Sequence, residues 1–153
     1  MAKRLKKFKE LLIDLLHQGK SPKELATAIT IGCLLGIFPI LGVTTAMSIL
    51  IGKFMKLNIP AILTANYAVF PVQIFMIYVL VVTGETIFAL ETRTDYDFFK
   101  NIMDESWSVI FETLGKSLAT AVFSWVLFST ILFFPLYRVF LFFVAKIKKA
   151  RKI

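Results

Sequence analysis

The chain is poor in the residues that disulfide frameworks and catalytic sites require. It holds one cysteine, Cys33, and one histidine, His17, in 153 residues. A single cysteine excludes an intramolecular disulfide, and its position inside an apolar run suits a small buried hydrophobe. One histidine without a set of acidic or thiol partners is a poor basis for metal binding or acid–base catalysis. Charge is also scarce. Only 18% of residues are charged, whereas about a quarter is usual in a soluble domain. No secretory leader with an apolar core and small-residue cleavage site is legible, so the chain is expected to be mature as written.

What is present is apolar. Hydrophobic residues make up 58% of the chain, Phe alone occurs 16 times, and mean hydropathy is +0.76. This excludes disorder and disfavours a soluble fold, which could not cover so much apolar surface. The expected class is all-α: a small polytopic helical membrane protein. Net charge is +8, and the bases sit at the ends of apolar segments, which fits anionic headgroups rather than nucleic acid.

Residues 1–18 read as a basic amphipathic interfacial helix, with Leu5, Phe8, Leu12, Leu15 and Leu16 at helical spacing behind a cluster of lysines. Ser21-Pro22-Lys23-Glu24 then opens a new helix, with Ser21 as N-cap, Pro22 in the first turn and Glu24 closing a capping box. Gly19-Lys20-Ser21 and Gly115-Lys116-Ser117 resemble the ends of phosphate loops, but Asp14 and Ile110 stand where the earlier glycine is needed.

The apolar run Leu25–Phe38 is roughly 21 Å of helix, and the run from Val43 to Gly52 is shorter. Neither crosses a hydrocarbon core of about 30 Å alone. Pro39 and Gly42 break the chain between them. The pieces form either one kinked span or a re-entrant hairpin over residues 24–57. Lys20 and Lys23 precede the first piece and Lys53 and Lys56 follow the second, so the positive-inside rule favours the hairpin. Ala28, Gly32 and Gly36 form a small-residue row on the first arm, read as arm-to-arm packing.

Residues 60–84 are long enough to span, with Asn66 and Pro71 as interruptions. Residues 85–116 hold seven acids against three bases, whereas the rest of the chain has 15 bases against three acids. That contrast places 85–116 outside as an amphipathic segment, with Phe99, Met103, Trp107, Ile110 and Leu114 on one face. Residues 117–145 form a second span kinked at Pro135, and 146–153 are a basic tail. Residues 19–145 are then the membrane domain, and both termini are cytoplasmic.

The set Gly19-x-Ser21-Pro22, Ala28, Gly32, Gly36, Pro39, Gly42 and Leu57-Asn58-x-Pro60 is similar to the bacterial family catalogued as domain of unknown function 2062. Asn66-Tyr67-Ala68-Val69-Phe70-Pro71 resembles that family's Asn-Pro-x-x-Phe-Pro element, with Tyr67 in place of the first proline. Tyr78 and Gly84 stand where the family tends to have an aromatic and a glycine. The resemblance implies a prokaryotic integral membrane protein without established activity, from a family sometimes joined to glycosyltransferase domains. It brings lipid-linked intermediates into view.

Chemistry is most legible at two places. Thr44 and Thr45 follow Gly42, where a half-helix N-terminus offers unpaired N–H groups to an anion, or where the threonines cap their own helix. Arg138 lies roughly 12 Å before Lys146 within the last span. It reads as a phosphate clamp or as a snorkelling side chain. Asn58 and Asn66 read as hydrogen-bonding glue between helices. No catalytic residue, cofactor or metal site is expected. The expected function is binding or translocation of an anionic lipid or lipid-linked intermediate in the cytoplasmic (inner) membrane, by a homo-oligomer whose hairpin tip and Arg138 hold the headgroup. The alternative is a non-transporting scaffold that docks a membrane or cytoplasmic enzyme. Cysteines placed at Lys53 and Lys56 should be labelled from the cytoplasmic side. Labelling only from outside would refute the hairpin.

Overall fold

The computed structural model describes residues 21–89 and 106–150. The described residues form four helices: α1 (Pro22–Gly36), α2 (Val43–Phe54), α3 (Ile59–Ile87) and α4 (Trp107–Ala150). The helix expected over 1–18, residues 90–105 of the amphipathic segment and the end of the tail lie outside the described residues.

Local chemistry sets the helix ends. Ser21 accepts from the Glu24 amide at 3.2 Å, and the Ser21 amide donates to the Glu24 carboxylate at 3.1 Å, so α1 opens on a complete capping box with Pro22 in its first turn. Past Gly36 the chain turns, and Gly42 adopts φ +84°, a left-handed conformation that glycine takes at little cost. α2 closes with Lys56 in the left-handed region and the Leu57 amide donating to the Gly52 carbonyl at 2.9 Å. Asn58 caps α3 by accepting from the Ala61 amide at 3.0 Å.

The packing order is read from the close contacts. α1 runs parallel to α3. The carbonyl of Ile62 and the Cβ of Ala65 occupy the space that a Gly32 side chain would need, and Asn66 and Val69 do the same at Gly36. α2 returns antiparallel to α3, with Gly52 against Ile59 and Ile62. At the far end, Gly84 of α3 meets the backbone of Thr120 on α4. The buried core gathers Leu25, Ala28 and Ile29 of α1, Ala61, Ile62 and Ala65 of α3, and Val144 of α4. The starts of α1 and α3 and the ends of α2 and α4 therefore converge.

Three expectations change. The Gly32–Gly36 face of the small-residue row packs against α3 rather than against the second arm. Asn66 and Pro71 do not interrupt α3, which is continuous for 29 residues and runs to Ile87. No break separates residues 107–116 from the following span, since α4 is one helix of 44 residues. Pro135, where a kink is expected, is an interior residue of that helix. A proline removes one backbone donor, which a long helix tolerates when its neighbours and flanking bonds hold the geometry.

α3 and α4 are each long and apolar enough to cross a membrane. Only 17% of the most apolar window of α3, and none of that of α4, is buried within the chain. Soluble proteins bury such windows, whereas lipid-facing helices leave them exposed. Alanine at Gly32 or Gly84 would drive a Cβ into backbone of the facing helix. Each is expected to lose roughly 2 kcal/mol by overpacking. Gly115→Ala, where nothing lies within 4 Å, should instead gain roughly 0.5–1 kcal/mol, because alanine is the better residue inside a helix. Thermal unfolding of the purified variants in detergent would check the contrast.

Candidate functional site

A helix that stops inside an apolar bundle exposes carbonyls that cannot find water. The end of α1 meets this requirement with side chains from two other helices. The Trp125 indole N–H of α4 donates to the Leu34 carbonyl at 2.8 Å. The Gln73 amide of α3 donates to the Phe38 carbonyl at 2.8 Å. The Phe38 amide closes the turn onto the Leu35 carbonyl at 3.1 Å. Phe38 also meets the Trp125 ring edge-on, with centroids 4.8 Å apart. Gln73 is 1% exposed and is the fifteenth of the 29 residues of α3, so the break lies level with the middle of that helix.

α2 is tied to α3 in the same way. Buried Asn66 donates through Nδ2 to Ser48 Oγ at 2.8 Å, and Thr45 Oγ1 shares a hydrogen bond with the Tyr67 hydroxyl at 3.1 Å. Tyr67 thus gives the second arm a polar anchor. Neither threonine is the N-cap of α2. Gly42 is, and it supplies no side-chain hydrogen bond.

Thr44, Thr45 and Arg138 are not brought together. Trp125 is level with the hairpin tip, and Arg138 lies 13 residues further along α4, roughly 20 Å away. Arg138 is exposed, with its guanidinium 4.9 Å from the centre of the Phe134 ring. A single headgroup cannot contact both within one chain. Ser21, Pro22, Asn58 and Pro60 shape helix starts, Gly32 and Gly36 permit backbone contact, and Pro39 and Gly42 form the turn at the tip. Pro71 lies within α3, one turn after Asn66.

The ends of the bundle differ in charge. Lys23, Lys53, Lys56, Lys146, Lys148 and Lys149 gather where the helix ends converge, and Glu24 is the only acid there among the described residues. At the opposite end Lys116 pairs with Glu112 at 2.6 Å on an exposed surface. Glu85, 3% exposed, accepts from Ser117 Oγ at 2.6 Å between α3 and α4.

Two apolar hollows flank the tip. One, of about 390 Å³, lies between Pro39, the second half of α3 and Leu114–Leu118. The other, of about 470 Å³, lies between α1, α2 and α4 and is floored by Trp125. Among the described residues no group of three His, Cys, Asp or Glu side chains could hold a metal ion.

A family profile for an uncharacterised protein conserved in bacteria, domain of unknown function 2062, matches residues 5–152. The chain belongs to that family. No curated protein and no solved structure matches it. Within this member of family 2062, the resemblance seen at Ser21-Pro22, Pro39-x-x-Gly42 and Asn58-x-Pro60 falls on helix caps and the tip turn. Gln73 and Trp125, which secure the break, belong to none of those motifs. Gln73 carried a signal, since an amide within an apolar span must find a partner. Trp125 carried none, because an indole near membrane depth is ordinary.

Replacing Gln73 with Leu, or Trp125 with Phe, strips one carbonyl of its donor. Each is expected to cost about 1–3 kcal/mol, and Gln73→Glu should not restore the loss while its carboxylate is ionised. Unfolding midpoints measured for the three variants would test this.

Proposed function

We propose that this protein binds anionic lipid in the bacterial cytoplasmic membrane, with both termini and the open end of the half-depth hairpin at the cytoplasmic face. The observation that carries the reading is the convergence of six lysines at one end of a bundle whose sides are apolar. Each base near an anionic leaflet contributes about 1 kcal/mol of attraction, so their gathering favours that surface strongly. The positive-inside rule sets the same orientation. The tip of the hairpin then lies at mid-membrane, and the α3–α4 connection faces outward.

The headgroup is held at the basic end rather than by Thr44 and Thr45. Arg138, on an outward face of α4, is placed to snorkel towards a headgroup or to meet a second copy. Two spans enclose no polar path, so movement of a lipid across the membrane would require a homo-oligomer.

A scaffold is the second reading. Its support is the saturation of the break by Gln73 and Trp125, which suits a rigid support for an enzyme partner better than a site that exchanges ligands.

The two separate by lipid-dependent stability. Delipidated protein in neutral detergent should gain roughly 5 °C in melting temperature with phosphatidylglycerol over phosphatidylcholine. Joint Lys→Gln substitution at 53, 146, 148 and 149 should remove most of that difference. Equal stabilisation by both lipids would reject anionic-lipid binding and leave the scaffold.

A further inference from the structure

Arg138 is the one arginine among the described residues, and it is exposed on α4. Its guanidinium carries five N–H donors and no acceptor. It lies 4.9 Å from the centre of the Phe134 ring, one turn earlier. A ring face attracts the charge but accepts no ordinary hydrogen bond. No described carboxylate pairs with the guanidinium. An arginine on an apolar helix needs an anion or water to meet it.

Its depth narrows the choice. Trp125 is level with the hairpin tip, which the placement above sets at mid-membrane. Phe134 lies nine residues beyond Trp125, roughly 14 Å along the helix, and Arg138 roughly 20 Å. The hydrocarbon of a bilayer ends about 15 Å from its centre, and the headgroups reach about 20–22 Å. The guanidinium leans back over Phe134, so it stands at the edge of the hydrocarbon, beside the layer of phospholipid phosphates. Leu127, Ile131 and Phe134, which precede it in the same helical row, are exposed and apolar.

A second copy of this chain does not meet the need. It would bring the same arginine to the same depth, and neither α2 nor α4 beyond Glu112 holds an acid. Glu24 accepts from the Ser21 amide in the cap of α1, and Glu85 accepts from Ser117 at the opposite end of the bundle. Lys146, two turns further along the row, lies over Phe142 at 5.9 Å and adds a like charge. A phosphodiester supplies what is missing. Its two free oxygens match two parallel N–H bonds of a guanidinium.

We infer that Arg138 is a binding site for the phosphate group of a phospholipid, held through two parallel hydrogen bonds at the edge of the headgroup layer. The site takes its depth from the membrane placement proposed above but differs from the lysine cluster in what it selects. The lysines attract net negative charge over a distance. The arginine grips the phosphate itself, which phosphatidylcholine carries as well as phosphatidylglycerol.

Native mass spectrometry of the purified full chain tests this, with delipidated protein supplied with phosphatidylglycerol, phosphatidylcholine or diacylglycerol, which lacks phosphate. The wild type should hold one molecule of either phospholipid at energies that strip diacylglycerol. Arg138→Gln should cut retention of both phospholipids about tenfold. Arg138→Lys, which keeps the charge but not the paired bonds, should cut it about threefold. Lys146→Gln should lower the preference for phosphatidylglycerol and leave phosphatidylcholine retention unchanged. Unchanged retention of both phospholipids in Arg138→Gln would overturn the site, as would wild-type protein that holds diacylglycerol equally well. Loss of an oligomer in Arg138→Gln with lipid retention intact would assign the residue to a contact between copies and overturn it too. Should Arg138→Gln not fold, wild-type retention in Arg138→Lys overturns the paired hold. Failure of the two readings is distinguishable. Equal retention of the two phospholipids, lost together in Arg138→Gln, rejects the anionic preference and keeps the phosphate site. A phosphatidylglycerol preference that survives in Arg138→Gln at full retention does the reverse.

Discussion

A backbone carbonyl without a hydrogen bond is intolerable in hydrocarbon, and this fold is arranged around two that would otherwise be bare. Breaking a helix at Pro39–Gly42 frees the carbonyls at the end of α1. Gln73 and Trp125 answer two of them from different helices. Those bonds need α3 and α4 at fixed heights beside the tip. The glycines at 32 and 36 supply the height for α3, because their missing side chains let the helices touch backbone to backbone. The polar locks and the small residues therefore form one system. The first demands a register, and the second makes that register reachable.

The same economy recurs along α3. Asn66 reaches Ser48, Tyr67 reaches Thr45, and Glu85 meets Ser117. In each case a polar side chain within an apolar helix is matched by a short hydroxyl on a neighbour. Such pairs contribute modestly, but their directionality selects one arrangement among several that apolar packing alone would permit. The apolar faces left over point outward, as expected for helices whose solvent is lipid.

The helical class, the break at Pro39 and Gly42, the cap at Ser21 and the family were all legible in the residues. Each depends on local chemistry within a few positions. Proline and glycine change backbone freedom where they stand, and Ser-Pro-x-Glu meets its own amides. The partner of the small-residue row was not legible. Gly32 and Gly36 announce that something approaches closely but carry no mark of which helix. Continuity through Asn66, Pro71 and residues 107–117 was also hidden, because tertiary contacts and flanking bonds override a local break signal. Thr44 and Thr45 do not meet Arg138 within one chain for a simpler reason. Membrane depth estimated from each end of the sequence does not establish proximity, and about 20 Å of helix separates the hairpin tip from the arginine.

The hydrogen bonds at the break join residues far apart in the chain. The Phe38 carbonyl waits for a donor 35 residues downstream, and the Leu34 carbonyl for one 91 residues downstream. Synthesis runs from the N-terminus, so the hairpin leaves the ribosome before either partner exists. Until α4 emerges, the Leu34 carbonyl lacks its Trp125 donor and must be satisfied by water. The lock at the break is then the last part of the bundle to close, with the arrival of Trp125. A ribosome stalled between residues 73 and 125 would leave the hairpin half secured.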